Sequence, residues 1–102
     1  MNYNKDFRYD LAIELLCKKV EVKLDFKCLE TGNIFVEYYS RGKKSGLSTT
    51  EAEYWCYWLS DYHCILIKTD KLKEMCRKYL NTDRDRNGGD MNTSKGILLP
   101  IK

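Results

Sequence analysis

Two segments of the chain alternate hydrophobic and charged residues with the period of two that is typical of a half-buried β-strand. The first alternation covers residues 20–28 and the second covers residues 34–38. The pattern predicts a β-hairpin with one face in the core. A three-residue turn at 30–32, with Gly32 in the left-handed conformation, brings the two hydrophobic faces together.

Other segments space their hydrophobic residues as a helix does. The spacing predicts a first helix over residues 10–19 and a second over about 50–60, where Ser and Thr residues precede the segment as candidate caps. A third helix is expected to begin at Thr69 or Asp70 and to present a hydrophobic stripe as far as Leu80.

The remaining segments read as strands and a loop. Residues 63–69 (HCILIKT) are typical of a short buried strand, and residues 81–95 form a polar, glycine-containing loop. Residues 97–101 (ILLPI) predict a last strand, placed on a sheet edge because Pro100 cannot donate a backbone hydrogen bond. The order α-β-β-α-β-α-β indicates one α+β domain over residues 1–102.

Composition and charge narrow the class of protein. The 18 Lys and Arg residues exceed the 15 Asp and Glu residues by a formal charge of +3, which is weak evidence for nucleic-acid binding. No stretch approaches the roughly 18 apolar residues that span a bilayer, so a cytoplasmic protein is expected. The five cysteines form no CxxC pair and are expected to be reduced and mostly buried. No phosphate-binding loop motif is present, so no nucleotide cofactor is expected.

The predicted hairpin register carries the candidate chemistry. It places Asp25 opposite Glu37 and Lys23 opposite Tyr39 on the polar face, with the two carboxylates about 5 Å apart at Cβ. Like charges this close need compensation, which Mg²⁺ or Mn²⁺ would supply. Lys23 lies two residues before Asp25 on the same face and would stabilise charge on a phosphate. The alternative is an ordinary solvated sheet face.

The same residues resemble a known family. Asp25, the stretch Glu37-Tyr38-Tyr39-Ser40-Arg41 and the following GKKSGLSTTEAEYW resemble the PD-(D/E)XK nucleases in order and spacing over about residues 10–68. Small phage proteins and archaeal-type Holliday junction resolvases are the members most similar to this pattern. The resemblance implies a restriction-endonuclease-like core, a central mixed sheet flanked by helices, and a role for Glu14 as a third metal ligand.

The sequence departs from the family pattern at two places. Tyr39 stands where the family has a lysine two residues after the glutamate, and no proline precedes Asp25. Lys23 is the first candidate to replace that lysine, and Lys43 or Lys44 is the second. A shifted assignment also remains open, in which Glu21 and Lys23 form the Glu-x-Lys motif.

A basic turn offers candidate phosphate contacts. The residues are Arg41, Lys43, Lys44, Ser48 and Thr49, which would lie at the start of the second predicted helix. The alternative is a solvated basic turn with an N-cap.

These observations lead to two expectations for function. The first is a metal-dependent endonuclease, acting as a homodimer, that hydrolyses phosphodiester bonds of DNA, with branched or junction DNA as a candidate substrate. The second is a catalytically degraded nuclease-fold protein that binds nucleic acid or a host protein as a viral accessory factor or inhibitor.

Overall fold

The computed structural model describes residues 19–101 and contains two β-sheets and two short α-helices within that range. In chain order the elements are β1 (Val20–Leu24), α1 (Cys28–Thr31), β2 (Asn33–Ser40), β3 (Lys43–Lys44), a 3-10 turn (Gly46–Ser48), β4 (Tyr54–Trp58), β5 (Cys64–Lys68), α2 (Thr69–Arg77), β6 (Asp85–Gly88), a second 3-10 turn (Asp90–Asn92) and β7 (Ser94–Pro100). The α+β class is confirmed. The predicted helix over 10–19, with Glu14, lies outside the described residues apart from its last position.

The first sheet has three strands in the order β1-β4-β5. Strand β1 runs parallel to β4, and β4 runs antiparallel to β5, so the sheet is mixed. The predicted hairpin between residues 20–28 and 34–38 is therefore wrong. Strand β1 ends at Leu24, and the chain then forms α1, which ends at Gly32 in the left-handed conformation with φ 77°. The left-handed glycine is confirmed, but it terminates a helix rather than a hairpin turn.

The second predicted helix, over about 50–60, is also wrong. Residues 54–58 form β4, the central strand of the three-stranded sheet, and its middle residues Trp55, Cys56 and Tyr57 are all buried. A continuous hydrophobic run of this kind occurs in buried strands and buried helices alike, so its period cannot distinguish them. The Thr50 hydroxyl accepts a hydrogen bond from the Ala52 N–H at 3.1 Å, which makes a local turn instead of a helix cap.

The second sheet is antiparallel, with the strand order β3-β2-β7-β6. Strand β7 is interior, so its predicted edge position is wrong. Pro100 is the last residue of β7 and pairs with Asn33, a position where the strand is ending and the missing N–H does not break the ladder. The predicted loop over 81–95 includes β6, which takes the edge that β7 was expected to occupy.

The core lies between the two sheets and α2. Its largest fully buried side chains come from both sheets and from α2: Trp55, Tyr57, Ile34, Leu72, Ile97 and Leu99. Each such side chain contributes about 1.5–3 kcal/mol of hydrophobic stabilisation. The strand predicted at 63–69 is confirmed as β5, but its predicted burial is wrong, because β5 is an edge strand with alternating exposure. The helix predicted to begin at Thr69 is confirmed, although it ends at Arg77 and not at Leu80. Within residues 19–101 no helix is long and apolar enough to cross a membrane.

Candidate functional site

An open cleft of about 1070 Å³ lies where β1 approaches β2 and the segment 46–53. Its charged lining residues are Lys19, Glu21, Lys23, Glu37, Glu51 and Glu53. Four carboxylates therefore face two ammonium groups, and the cleft is acidic. We call this cavity the acidic cleft.

Strand β1 contributes Glu21 and Lys23 to the acidic cleft. Both point to the same side of the strand because side chains alternate with a period of two. The Lys23 Nζ lies 3.7 Å from the Glu21 Oε2 and 5.8 Å from the ring centroid of Trp55, the residue that pairs with Glu21 on β4. Side chains this exposed form weak ion pairs, worth about 0–1 kcal/mol, so Lys23 remains free to meet an anion.

Strand β2 contributes Glu37 from the opposite side of the acidic cleft. The Ser45 hydroxyl donates a hydrogen bond to the Glu37 Oε2 at 2.9 Å and orients the carboxylate. Gly46 packs against the Glu37 backbone with φ +50°, and a Cβ at that position would lie 2.9 Å from the Glu37 carbonyl carbon and overlap its oxygen. Only glycine allows the turn to come this close to the strand.

Asp25 has a different position from the one predicted. It does not lie opposite Glu37 across a ladder; its Oδ2 accepts a hydrogen bond from the Phe35 N–H at 2.9 Å, and its own N–H donates to the Trp58 carbonyl oxygen. The Tyr57 hydroxyl donates to the Phe35 carbonyl oxygen at 3.4 Å. Asp25 thus caps the free edge of β2 at Phe35, a position two residues and about 7 Å along the strand from Glu37. The predicted register, with Lys23 opposite Tyr39, is wrong for the same reason.

The hydroxyl of Tyr57 lies close to the acidic groups of both sheets. Burial raises the pKa of Tyr57 above its ordinary value, and the neighbouring Cys76 thiol and three carboxylates raise it further: Asp25, Glu21 and Glu37. The hydroxyl therefore stays protonated at neutral pH. The helix predicted over about 50–60 gave no indication that Tyr57 lies beside Glu21 and Glu37, because residues 54–58 form a strand.

The carboxylates of the acidic cleft are the candidate ligands for the predicted Mg²⁺ or Mn²⁺. Within residues 19–101, no group of three or more His, Cys, Asp or Glu side chains is arranged to hold a metal ion. Mg²⁺ usually keeps several waters and takes only one or two protein carboxylates together with substrate phosphates. Glu21 and Glu37 are carboxylates that line the same cleft, so they match that smaller requirement in ligand type. Glu14, the third predicted ligand, lies outside the described residues.

The predicted phosphate-binding residues do not form one site, because they are divided among a turn and two separate cavities. Arg41 and Gly42 form a tight turn with φ 50° and 79°, which joins β2 to the exposed pair Lys43–Lys44 in β3. Left-handed conformations at both turn positions are typical of two-residue hairpins. Thr49 lines the acidic cleft, whereas Lys44 and Ser48 line a separate pocket beside α2.

The helix N-terminus expected after this turn is absent from the described residues, since residues 54–58 are a strand. The Ser48 hydroxyl donates to the Tyr38 carbonyl oxygen at 2.8 Å, and the Thr49 hydroxyl to the Gly46 carbonyl oxygen at 3.5 Å. Both hydroxyls stabilise the turn. The prediction that these residues lie at the start of a helix, whose N-terminus would favour phosphate, is wrong.

Comparison of the chain with protein-family models, with curated proteins and with solved structures finds no match.

Proposed function

We propose that the chain is a metal-dependent nuclease that hydrolyses phosphodiester bonds of DNA in the acidic cleft. The observation that carries the proposal is the convergence of Glu21 and Lys23 from one sheet and Glu37 from the other on a single open cavity. This arrangement favours the shifted assignment, in which Glu21-Val22-Lys23 is the Glu-x-Lys motif and Glu37 is the second acid.

The residues of the acidic cleft fit a hard divalent cation. Glu21 and Glu37 would hold Mg²⁺ or Mn²⁺, whose preferred ligands are oxygens. When bound, such an ion polarises a phosphate and lowers the pKa of a water molecule. Lys23 would stabilise the charge that develops on the phosphate oxygens, and Ser45 keeps the Glu37 carboxylate in place.

Asp25 has a supporting role in this proposal. One of its carboxylate oxygens accepts a hydrogen bond from the Phe35 N–H, and this contact joins the end of β1 to β2. Asp25 would thereby set the distance between the two walls of the acidic cleft. The restriction-endonuclease-like core belongs to the proposal as well. A mixed sheet that carries the Glu-x-Lys pair on one strand supports it.

The first experiment is a cleavage assay on plasmid and branched DNA with Mg²⁺ or Mn²⁺. Glu21→Gln and Glu37→Gln should each lower the rate by about 100-fold or more, because each removes a ligand and its charge. Glu51→Gln is the matched control, since Glu51 lines the same cleft and forms an exposed ion pair with Lys19 at 3.7 Å. Cleavage that survives in both test variants would refute the assignment.

A homodimer is part of the proposal because cutting both strands of a duplex requires two sites. Conversion of supercoiled plasmid directly to linear DNA would support paired sites. Accumulation of nicked circles would indicate one site acting alone.

A binding protein with a degraded nuclease site is the second candidate. It is favoured by Tyr39 at the lysine position of the family pattern and by the lack of a three-ligand group within residues 19–101. Such a protein would bind DNA or a host protein without cleavage, and its affinity would be unchanged in Glu21→Gln and Glu37→Gln.

A further inference from the structure

A second pocket, of about 310 Å³, lies between α2 and the four-stranded sheet. Its apolar walls are formed by Val36, Leu47, Cys76, Leu80 and Ile97. The volume is at the lower end of the range for small-molecule sites, which are mostly apolar with a few polar groups that fix orientation. A small planar group therefore fits the pocket better than a long acyl chain does.

Three cationic residues line this pocket. Lys44 comes from β3, and Lys73 and Arg77 come from successive turns of α2. None of the three forms an ion pair with a carboxylate in the part of the chain that the structure describes, and no acidic residue is among the described lining residues. Converging, unneutralised cations favour an anion, and arginine binds phosphate through two parallel hydrogen bonds.

Tyr38 supplies an aromatic wall with a fixed orientation. Its hydroxyl donates a hydrogen bond to the Asp85 Oδ1 at 2.6 Å, which anchors the ring. Burial raises the pKa of Tyr38 to about 12, helped by the hydrogen bond and by the charge of Asp85, so the side chain is neutral at physiological pH. A neutral, anchored ring is a surface on which a nucleobase stacks.

We propose that this pocket binds one nucleotide unit, with the base against Tyr38 and the apolar walls and the phosphate among Lys44, Lys73 and Arg77. The unit belongs either to a single-stranded nucleic acid or to a free nucleotide, since the two share this chemistry. The inference does not depend on catalysis in the acidic cleft, and its experiment measures binding rather than cleavage.

The first measurement maps the backbone amide signals of the ¹⁵N-labelled wild-type chain during titration. The probes are a short single-stranded DNA oligonucleotide, adenosine monophosphate and inorganic phosphate. We expect the largest shifts at Lys73, Arg77 and Leu80. Binding of the oligonucleotide alone identifies a nucleic-acid strand as the ligand, and comparable binding of adenosine monophosphate identifies a free nucleotide. Equal binding of inorganic phosphate would overturn the proposal, because the pocket would then recognise no base.

The second measurement tests the phosphate contacts in a charge-neutralised variant. The variant combines Lys44→Gln, Lys73→Gln and Arg77→Gln. Its affinity for the nucleotide ligand should fall by at least about tenfold, and where that ligand is the oligonucleotide the salt dependence of its binding should become shallower. The matched control removes three charges from exposed positions outside the pocket: Lys27→Gln, Lys68→Gln and Lys78→Gln. An equal loss in the control would overturn the proposal, since binding would then depend on net charge.

The third measurement tests the apolar part of the pocket. Leu80→Glu places a carboxylate at the opening and should weaken binding, whereas Leu66→Glu should leave it unchanged. Leu66 is the matched control for Leu80, because their exposed fractions are similar, 45% and 43%, and Leu66 does not line the pocket. Unchanged binding in Leu80→Glu, or no shift of the pocket amides with any probe, would refute the site.

Discussion

The carboxylate of Asp25 accepts a hydrogen bond from the backbone N–H of Phe35 at 2.9 Å, and this contact connects the end of β1 to the free edge of β2. An unpaired N–H at a strand edge that is partly withdrawn from water costs free energy unless an acceptor meets it. Asp25 thus joins the two sheets on either side of the acidic cleft.

This contact predicts different effects for two substitutions of Asp25. Asp25→Ala removes the acceptor and should lower the free energy of unfolding by about 1–3 kcal/mol. Asp25→Asn keeps a carbonyl oxygen in the same place and should cost less. Chemical denaturation of the two variants measures the difference. Equal stabilities would show that the hydrogen bond contributes nothing to folding.

Gly46 and Gly42 form a matched pair for a second prediction. Both have positive φ, but a Cβ at Gly46 would collide with the Glu37 backbone, whereas a Cβ at Gly42 meets nothing within 4 Å. Gly46→Ala should therefore destabilise the fold by about 1–3 kcal/mol more than Gly42→Ala does. Thermal or chemical unfolding of both variants provides the measurement. Similar losses would indicate that backbone strain alone accounts for both.

The hydrogen bond between Tyr38 and Asp85 predicts a dependence of stability on pH. Burial raises the pKa of Asp85, but the Tyr38 hydroxyl, the Asn81 N–H and the charge of Lys95 lower it by more, so the net shift is downward. A lowered folded-state pKa gives stability that is present above the unfolded pKa and is lost as the pH falls through the folded one.

Tyr38→Phe tests this dependence. At pH 7 the variant should be less stable than the wild type by about 1.5–3 kcal/mol, because a hydrogen bond to a charged carboxylate is lost. The difference should shrink as the pH falls through the lowered pKa of Asp85, because its carboxyl then becomes protonated in the folded wild type as well. Urea unfolding over a series of pH values measures it. A difference that stays constant from neutral to acid pH would contradict the role of Asp85.

The ring of Phe35 predicts coupling with Gly88 across the four-stranded sheet. A Cβ at Gly88 would lie 2.9 Å from the Phe35 Cζ, closer than carbon atoms pack. Gly88→Ala should therefore destabilise the wild type by about 1–3 kcal/mol. In a Phe35→Leu background the same change should cost at least about 0.5 kcal/mol less, since the shorter side chain leaves room. A double-mutant cycle measures the coupling, and strict additivity would show that the two positions do not interact.

The local structure of several segments follows from the sequence. The alternation at 20–24 predicts a strand with Glu21 and Lys23 on one face, and the hydrophobic stripe after Thr69 predicts α2. The left-handed conformation of Gly32 was also predicted, although for a hairpin turn and not for the end of α1. These features depend on the backbone and on neighbours within a few residues, which the sequence displays directly.

Only the tertiary structure decided which strands are partners. The period of two assigns the faces of β1 and β2 but does not specify hydrogen-bond partners, and β1 pairs with β4 while β2 pairs with β7. The hydrophobic run 54–58 becomes a central strand because β1 and β5 pair with its two edges. The sequence by itself therefore determined the acidic and basic residues available to a site. Their convergence into the acidic cleft depends on long-range packing, which no local pattern records.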